Sequence, residues 1–190
     1  AFGTLISIVR NNDFQPWKPV FDIYILKEDE ERFKDVLWLL KDEGFELIRH
    51  ERRGLYYLCR NDQYIKFFVL HKISSDVRHT GGSDFIHEKY LQNTVKWNFM
   101  GIEMNVPVDV DEYLTFQYGN DWTTPKQTVF YSSSFFSKLA NWTKTKLQDI
   151  MPDAIYYYWL LIHRKKDFKK FKLRSEKAGY KLPQNFELAS

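Results

Sequence analysis

The chain has a single cysteine, Cys59, in 190 residues. No intrachain disulfide is therefore possible, and cysteine usage leaves the redox compartment open. Cys59 falls in a strand-like stretch and reads as a packing residue rather than a nucleophile. Long apolar runs are also missing. A bilayer span needs roughly 20 such residues, whereas the longest run here, residues 154–162, is about half that and holds three tyrosines. Disorder is excluded by a hydrophobic fraction of 44% and an aromatic fraction of 18%, with an ordinary 28% of charged residues. A domain of this length removes roughly 70% of its unfolded surface from water, enough for one compact core.

The net charge of +3 conceals an asymmetry. Residues 163–181 hold nine Lys/Arg against two acids, a surplus of seven, and the remaining chain has 19 basic and 23 acidic residues, or minus four. A basic helical segment can bind phosphate-rich partners or an anionic membrane surface, but such a run is more often a solvated helix face. The solvated face is the favoured reading, with Phe168, Phe171 and Leu173 packing the segment onto the body. Nucleic acid is a weaker alternative and would require binding that falls steeply with salt.

Alternation in residues 20–26 predicts a strand with Phe21, Ile23 and Ile25 on one face and Val20, Asp22 and Tyr24 on the other. Residues 28–43 predict a helix: Phe33, Val36, Leu37 and Leu40 form a stripe, the start is acidic, and Gly44 stops it. Strands follow over 45–50, 55–59 and 63–70, the last two joined through Asn61-Asp62 as a hairpin. Residues 73–92 lack a clean period. His79, Asp84 and His87 there fit no strong metal-ligand spacing, so the region reads as a polar surface loop. Residues 101–107 predict a short strand and 109–118 a helix ended by Gly119, with Tyr113 and Trp122 chiefly structural. After the Ser132-Ser133-Ser134 interruption, residues 135–151 look helical and Pro152-Asp153 restarts a helix. Asn141-Trp142-Thr143 is a glycosylation sequon, which requires an exposed Asn if the chain enters the secretory route.

The most informative stretch is Gly3-Thr4-Leu5-Ile6-Ser7-Ile8-Val9-Arg10, followed by Phe14-Gln15-Pro16-Trp17 and then the strand carrying Asp22. A Gly-Thr turn can lay N–H groups and a hydroxyl against phosphates, and the following strand can present carboxylates to a cation. In order and spacing this resembles the opening of the LicD/fukutin family, with Gly3, Thr4, Leu5, Arg10, Pro16, Trp17, Asp22 and Ile23 on the family pattern. A second block, Phe99-Met100-Gly101-Ile102-Glu103-Met104-Asn105-Val106-Pro107 with Glu112-Tyr113-Leu114, Tyr118-Gly119, Asp121-Trp122 and Pro125, resembles the family's closing segment. The resemblance covers residues 1–126. It implies an α+β fold, a nucleotidyltransferase-like mixed sheet flanked by helices, with residues 127–190 as a helical basic extension packed on the same domain. Related domains carry a helix and part of a strand before the Gly-Thr turn, so a chain that starts at Ala1 reads as an excised or processed segment.

The resemblance fails at the metal site. Alternate strand residues share a face, so an i, i+2 carboxylate pair can grip one Mg2+. The family pattern places such a pair at positions 20 and 22, where this chain has Val20 and Asp22, and Lys18 and Pro19 replace the preceding acids. A third acid is expected from a later strand, where the match is Lys66. Asp22 then has three open readings: a remnant metal ligand completed by Asp29, Glu30 or His71, an ion-pair partner of Lys66 across adjacent strands, or an exposed carboxylate with no role.

The resemblance implies transfer of a phospho-alditol or phosphocholine group from a CDP-activated donor to a glycan, with catalysis impaired here. Asp22 would be the catalytic and metal residue, using Mg2+ or Mn2+ if turnover persists. Gly3, Thr4, Arg10, Lys66 and Lys18 would meet the donor phosphates, and Trp17 and Trp122 the acceptor. The alternative is a non-catalytic glycan- or nucleotide-binding module that docks a partner glycosyltransferase. A Golgi or endoplasmic reticulum lumen is the expected setting, or the cytoplasm for a bacterial or viral chain. Membrane contact is expected only through a segment outside this chain.

Overall fold

The computed structural model describes residues 2–14, 20–82, 84–125, 143 and 146–182. Helix α1 (Phe2–Asn11) precedes strand β1 (Val20–Leu26), and a short 3-10 turn (Lys27–Asp29) leads into α2 (Glu30–Asp42). Three strands follow, β2 (Glu46–Glu51), β3 (Leu55–Arg60) and β4 (Gln63–Lys72). Beyond them come β5 (Val77–His79), β6 (Phe85–His87), α3 (Lys89–Gln92), the hairpin β7 (Thr94–Phe99) and β8 (Ile102–Pro107), α4 (Val110–Tyr118) and α5 (Asp153–Lys177). The class is α+β, with a mostly antiparallel sheet and helices against it.

Strand β4 is the centre of the sheet. It pairs antiparallel with β3 along one edge and parallel with β1 along the other, and its last residues pair with β5. Asn61 and Asp62, both at positive φ (49° and 61°), make the two-residue turn joining β3 to β4. Alternation then sorts side chains onto two faces. Ile23, Ile25, Tyr56, Leu58, Phe67 and Val69 pack with Phe33, Leu37 and Leu40 of α2. Val36, expected on that stripe, is exposed. On the opposite face Tyr24, Leu26 and Leu70 join a larger core with α1, α4 and α5.

Two expectations are corrected. Gly3 and Thr4 form no turn: both lie within α1, whose apolar Leu5 and Ile8 face the core. Residues 73–92 are not a surface loop, because β5 and β6 are buried throughout and carry Arg78, His79 and His87 inside. The local pattern does not show this, because Arg78 also needs Glu28, 50 residues away, and His87 needs Ser175, 88 residues away. Arg78 donates to Glu28 at 2.7 and 2.9 Å and to Glu88 at 2.5 and 3.1 Å, tying the start of α2 to the start of α3. Those bonds hold the Glu28 carboxyl at about 2. His87 Nε2 meets Ser175 Oγ at 3.0 Å, and Ser175 is fully buried.

Helix α5 seals the larger core from outside. Phe168 and Phe171 pack on Phe85 at centroid distances of 5.3 and 5.5 Å. Leu173, expected to join them, points away and is exposed. Arg52 fixes the helix start: it donates to Met151 O at 2.9 Å and to Asp153 at 2.7 Å and covers the Tyr156 ring at 4.2 Å. Within the helix expected over 135–151, residues 143 and 146–150 are helical. Residues 135–142 and 144–145, which include Asn141, lie outside the described residues.

Removing Arg78 leaves the buried Glu88 carboxylate without its cation, so Arg78→Ala should lower unfolding free energy by about 3 kcal/mol in urea titration. Burial pushes His79 down to about 3 and His87 down to about 4, below the roughly 6.5 of an unfolded histidine. The unfolded chain therefore takes up protons first. Stability is full above about pH 6.5 and should fall as pH drops towards about 4, with His87→Gln flattening the slope of melting temperature against pH.

Candidate functional site

The site is built on β1 and β4. Their parallel register sets Asp22 beside Lys66, and the β3–β4 register sets Lys66 beside Tyr57, so the three side chains form one row on one face. This is the juxtaposition that the ion-pair reading required. Asp22 is only 5% exposed, which overturns the reading of it as an exposed carboxylate. The Lys66 ammonium lies 4.8 Å from the centre of the Tyr57 ring, a cation–π contact that fixes the long side chain.

Helix α1 crosses this row through Thr4, which is 3% exposed. Its Oγ1 accepts from the Asp22 N–H at 2.9 Å and donates to Val20 O at 3.5 Å. The hydroxyl expected to meet phosphate is thus bonded to the backbone on either side of position 21. Its role is to hold β1 against α1 and to fix where Asp22 sits. Phe14, Phe21 and Phe99 pack edge-on and stacked at 5.0 to 6.4 Å, closing the β7–β8 hairpin over the entrance of β1.

The other expected residues divide. Gly3 lies in the first turn of α1, and Arg10 is half-buried near its end, with an Nε that meets no hydrogen-bond partner among the described residues. Trp122 packs against the larger core. Trp17 and Lys18 lie outside the described residues. None of the acids and histidines considered for completing a metal shell approaches Asp22 on its own face. Glu30 accepts from Tyr56 at 2.7 Å and from Lys27 on the α2 side of the sheet. Burial pushes Glu30 up, but the Lys27 and Tyr56 bonds outweigh it and hold the carboxyl below its usual value. His71, odd-numbered in β4 where Lys66 is even, faces away from Asp22 and meets Arg53 O at 3.0 Å. Asp29 is at the exposed start of α2, beside Arg32 at 3.9 Å. Among the described residues, no three His, Cys, Asp or Glu side chains converge as a metal site needs. One carboxylate with an ammonium beside it does not fit Mg2+ or Mn2+, which take oxygen ligands.

Sequence reasoning missed a second set of groups near the row. A cavity of about 400 Å³ opens beside Asp22, lined among others by Thr4, Tyr24, Tyr90, Asn105 and Tyr113. Burial pushes the Tyr113 phenol up to about 12 and raises Tyr24 well above its usual value. Tyr118 is raised first by burial and then by Tyr113, Asp84 and Asp22, so both carboxylates act on one phenol. Arg174 of α5 bonds Gln117 O at 3.3 Å and stacks on Phe116 at 4.6 Å, and burial lowers its affinity for its proton. Asp84 and Arg174 also line a cavity of about 260 Å³ with Asp167 and Lys170. The cavity beside Asp22 thus presents three phenols, Tyr24, Tyr90 and Tyr113, within a lining that is otherwise largely apolar. No Lys or Arg is among its described lining residues, so a group held there would meet the phenols, Thr4 and Asn105, with the Lys66 ammonium lying outside it in the strand row.

No protein-family profile matches the chain. An uncharacterized protein of Rickettsia typhi is 30% identical over 141 residues, which cover 72% of this chain and 43% of that protein. The chain thus spans about two fifths of the relative it matches.

Thr4→Val keeps the shape but leaves the Asp22 N–H without its buried acceptor. It should cost about 1–3 kcal/mol in denaturant titration, whereas Thr4→Ser should recover most of the loss.

Proposed function

We propose that this chain is a diverged domain of the LicD/fukutin type, with a nucleotidyltransferase-like sheet, that binds the phosphates of a CDP-activated donor and whose metal-dependent transfer to a glycan is impaired. The observation that carries the reading is the shared face of Asp22 and Lys66. A cation stands where the family pattern expects an acid, and Tyr57 keeps it there. A fixed ammonium supplies the charge that Mg2+ would supply to a phosphate, but it cannot place two oxygens in line for displacement. Binding without turnover follows. Arg10 on α1 is the second cation in this reading, and Lys18 and Trp17 keep their proposed roles at donor and acceptor. The bacterial relative weighs towards a cytoplasmic setting over a Golgi or reticulum lumen.

A second reading is a scaffold that has the fold, binds no nucleotide and docks a partner enzyme. It is favoured by the Thr4 hydroxyl, which is bonded within the protein. Calorimetric titration of CDP, CDP-ribitol and CDP-choline, with and without Mg2+ or Mn2+, separates the two. The phosphate reading expects binding that does not need the metal and weakens at least about tenfold in Lys66→Ala, the loss of a charge-assisted bond. Metal-dependent binding would mean a rebuilt metal site, and no binding of any of the three would leave the scaffold.

A further inference from the structure

The outward face of α5 has a composition that core packing does not account for. Phe168, Phe171 and Ser175 point inward and are buried. On the opposite side of the same helix Ile155, Tyr158, Ile162 and Leu173 are 51 to 65% exposed. At 100° per residue these four fall within about 60° of one another, so they form one spine along the helix. Lys166 and Lys177 lie along one side of this line and Lys165 and Lys172 along the other, Lys169 falls on the line itself between Ile162 and Leu173, and all five are exposed. The acids Asp153 and Glu176 lie near the two ends, and Asp167 turns inward beside Lys170. Just before the helix, Leu147 and Ile150 are exposed as well.

A solvated helix face has no use for a spine of large apolar side chains, and nucleic acid rewards lysine without rewarding isoleucine or leucine. An anionic bilayer surface rewards both. Apolar side chains enter the boundary between headgroups and acyl chains, while lysines flanking them reach back to the phosphates. No helix among the described residues is long and apolar enough to cross a membrane. We infer that α5 docks the protein peripherally on an anionic lipid surface, lying parallel to it with the Ile155–Tyr158–Ile162–Leu173 spine immersed and the lysine rows at headgroup level. At about 1.5 Å per residue its 25 residues lay roughly 37 Å of helix along the surface. The inference is independent of the donor-binding proposal, since it uses no residue of the Asp22–Lys66 row.

The test is co-sedimentation of the protein with vesicles of phosphatidylcholine alone and of phosphatidylcholine containing roughly one-third phosphatidylglycerol, a fraction at which each lysine near the surface contributes about fivefold in binding. Expected are strong retention on the anionic vesicles, little on the neutral ones, and loss in two distinct ways. Lys165→Ala with Lys169→Ala should weaken binding by about 25-fold at low salt. Ile155→Ser with Ile162→Ser should abolish it while helical circular dichroism is unchanged, because all four positions are on the exposed face. Binding that ignores the isoleucine pair, or that a short oligonucleotide matches in strength, would overturn the inference in favour of a plain polyanion site. Absence of vesicle binding would overturn it too, and self-association abolished by the isoleucine pair would then identify a second copy of the chain as the occupant.

Discussion

Strand β4 is bonded along both edges, and its register sets the position of each side chain in the Asp22–Lys66–Tyr57 row. Parallel pairing with β1 and antiparallel pairing with β3 place residues 22, 66 and 57 side by side. A slip of one residue would turn Lys66 to the α2 face and Phe67 towards Asp22, because side chains alternate with a period of two. The slip is prevented on both faces. Phe67 and Val69 are buried under α2 and Leu70 is buried on the other side, so neither face tolerates the exchange. The two-residue turn at Asn61-Asp62 sets the β3–β4 register locally, and the Thr4 bonds at positions 20 and 22 fix β1 from above. The chemistry of the row is thus a consequence of the packing on either side of it.

Much of this was legible in the sequence where a local rule and the tertiary demand agreed. Alternation in β1, the acidic start and Gly44 stop of α2, the Asn61-Asp62 hairpin and the Gly119 stop of α4 all follow from period and turn chemistry within a few residues. The Asp22–Lys66 juxtaposition was legible for the same reason, since alternation and strand order suffice. Residues 73–92 were not, because Arg78 and His87 are buried by virtue of Glu28, Glu88 and Ser175, and no local pattern announces partners 50 or 88 residues away. A Gly-Thr pair suggests a turn that would offer Thr4 to phosphate, whereas the apolar spacing of Leu5 and Ile8 favours the helix that forms. Asp84, Tyr118 and Arg174 come from three distant segments and meet only in the folded chain.

A sheet face that sets Lys66 beside Asp22 differs electrostatically from one that carries carboxylates alone. Two or three acids on one face repel one another unless a divalent ion neutralises them, which makes such a site dependent on its metal. Asp22 beside Lys66 has no such requirement, and the buried phenols Tyr24 and Tyr113 stay protonated because burial raises them. A neutral phenol donates a hydrogen bond, as does an ammonium. Tyr24, Tyr90 and Tyr113 therefore offer the cavity beside Asp22 neutral phenols, within a lining that is otherwise largely apolar.

Helix α5 follows a different logic from the rest of the fold. A helix that seals a core from outside needs one apolar stripe, and Tyr156, Leu160, Phe168 and Phe171 supply it. Its second, outward stripe cannot be a reserve for the core, because Arg52 at the helix start and Ser175 bonded to His87 near its end fix the helix rotation. Turning the helix to bury Ile155 and Ile162 would break both contacts and expose Phe171. Rotational locking of this kind keeps the outward stripe off the core of the described residues, which is what the proposed docking on an anionic lipid surface requires.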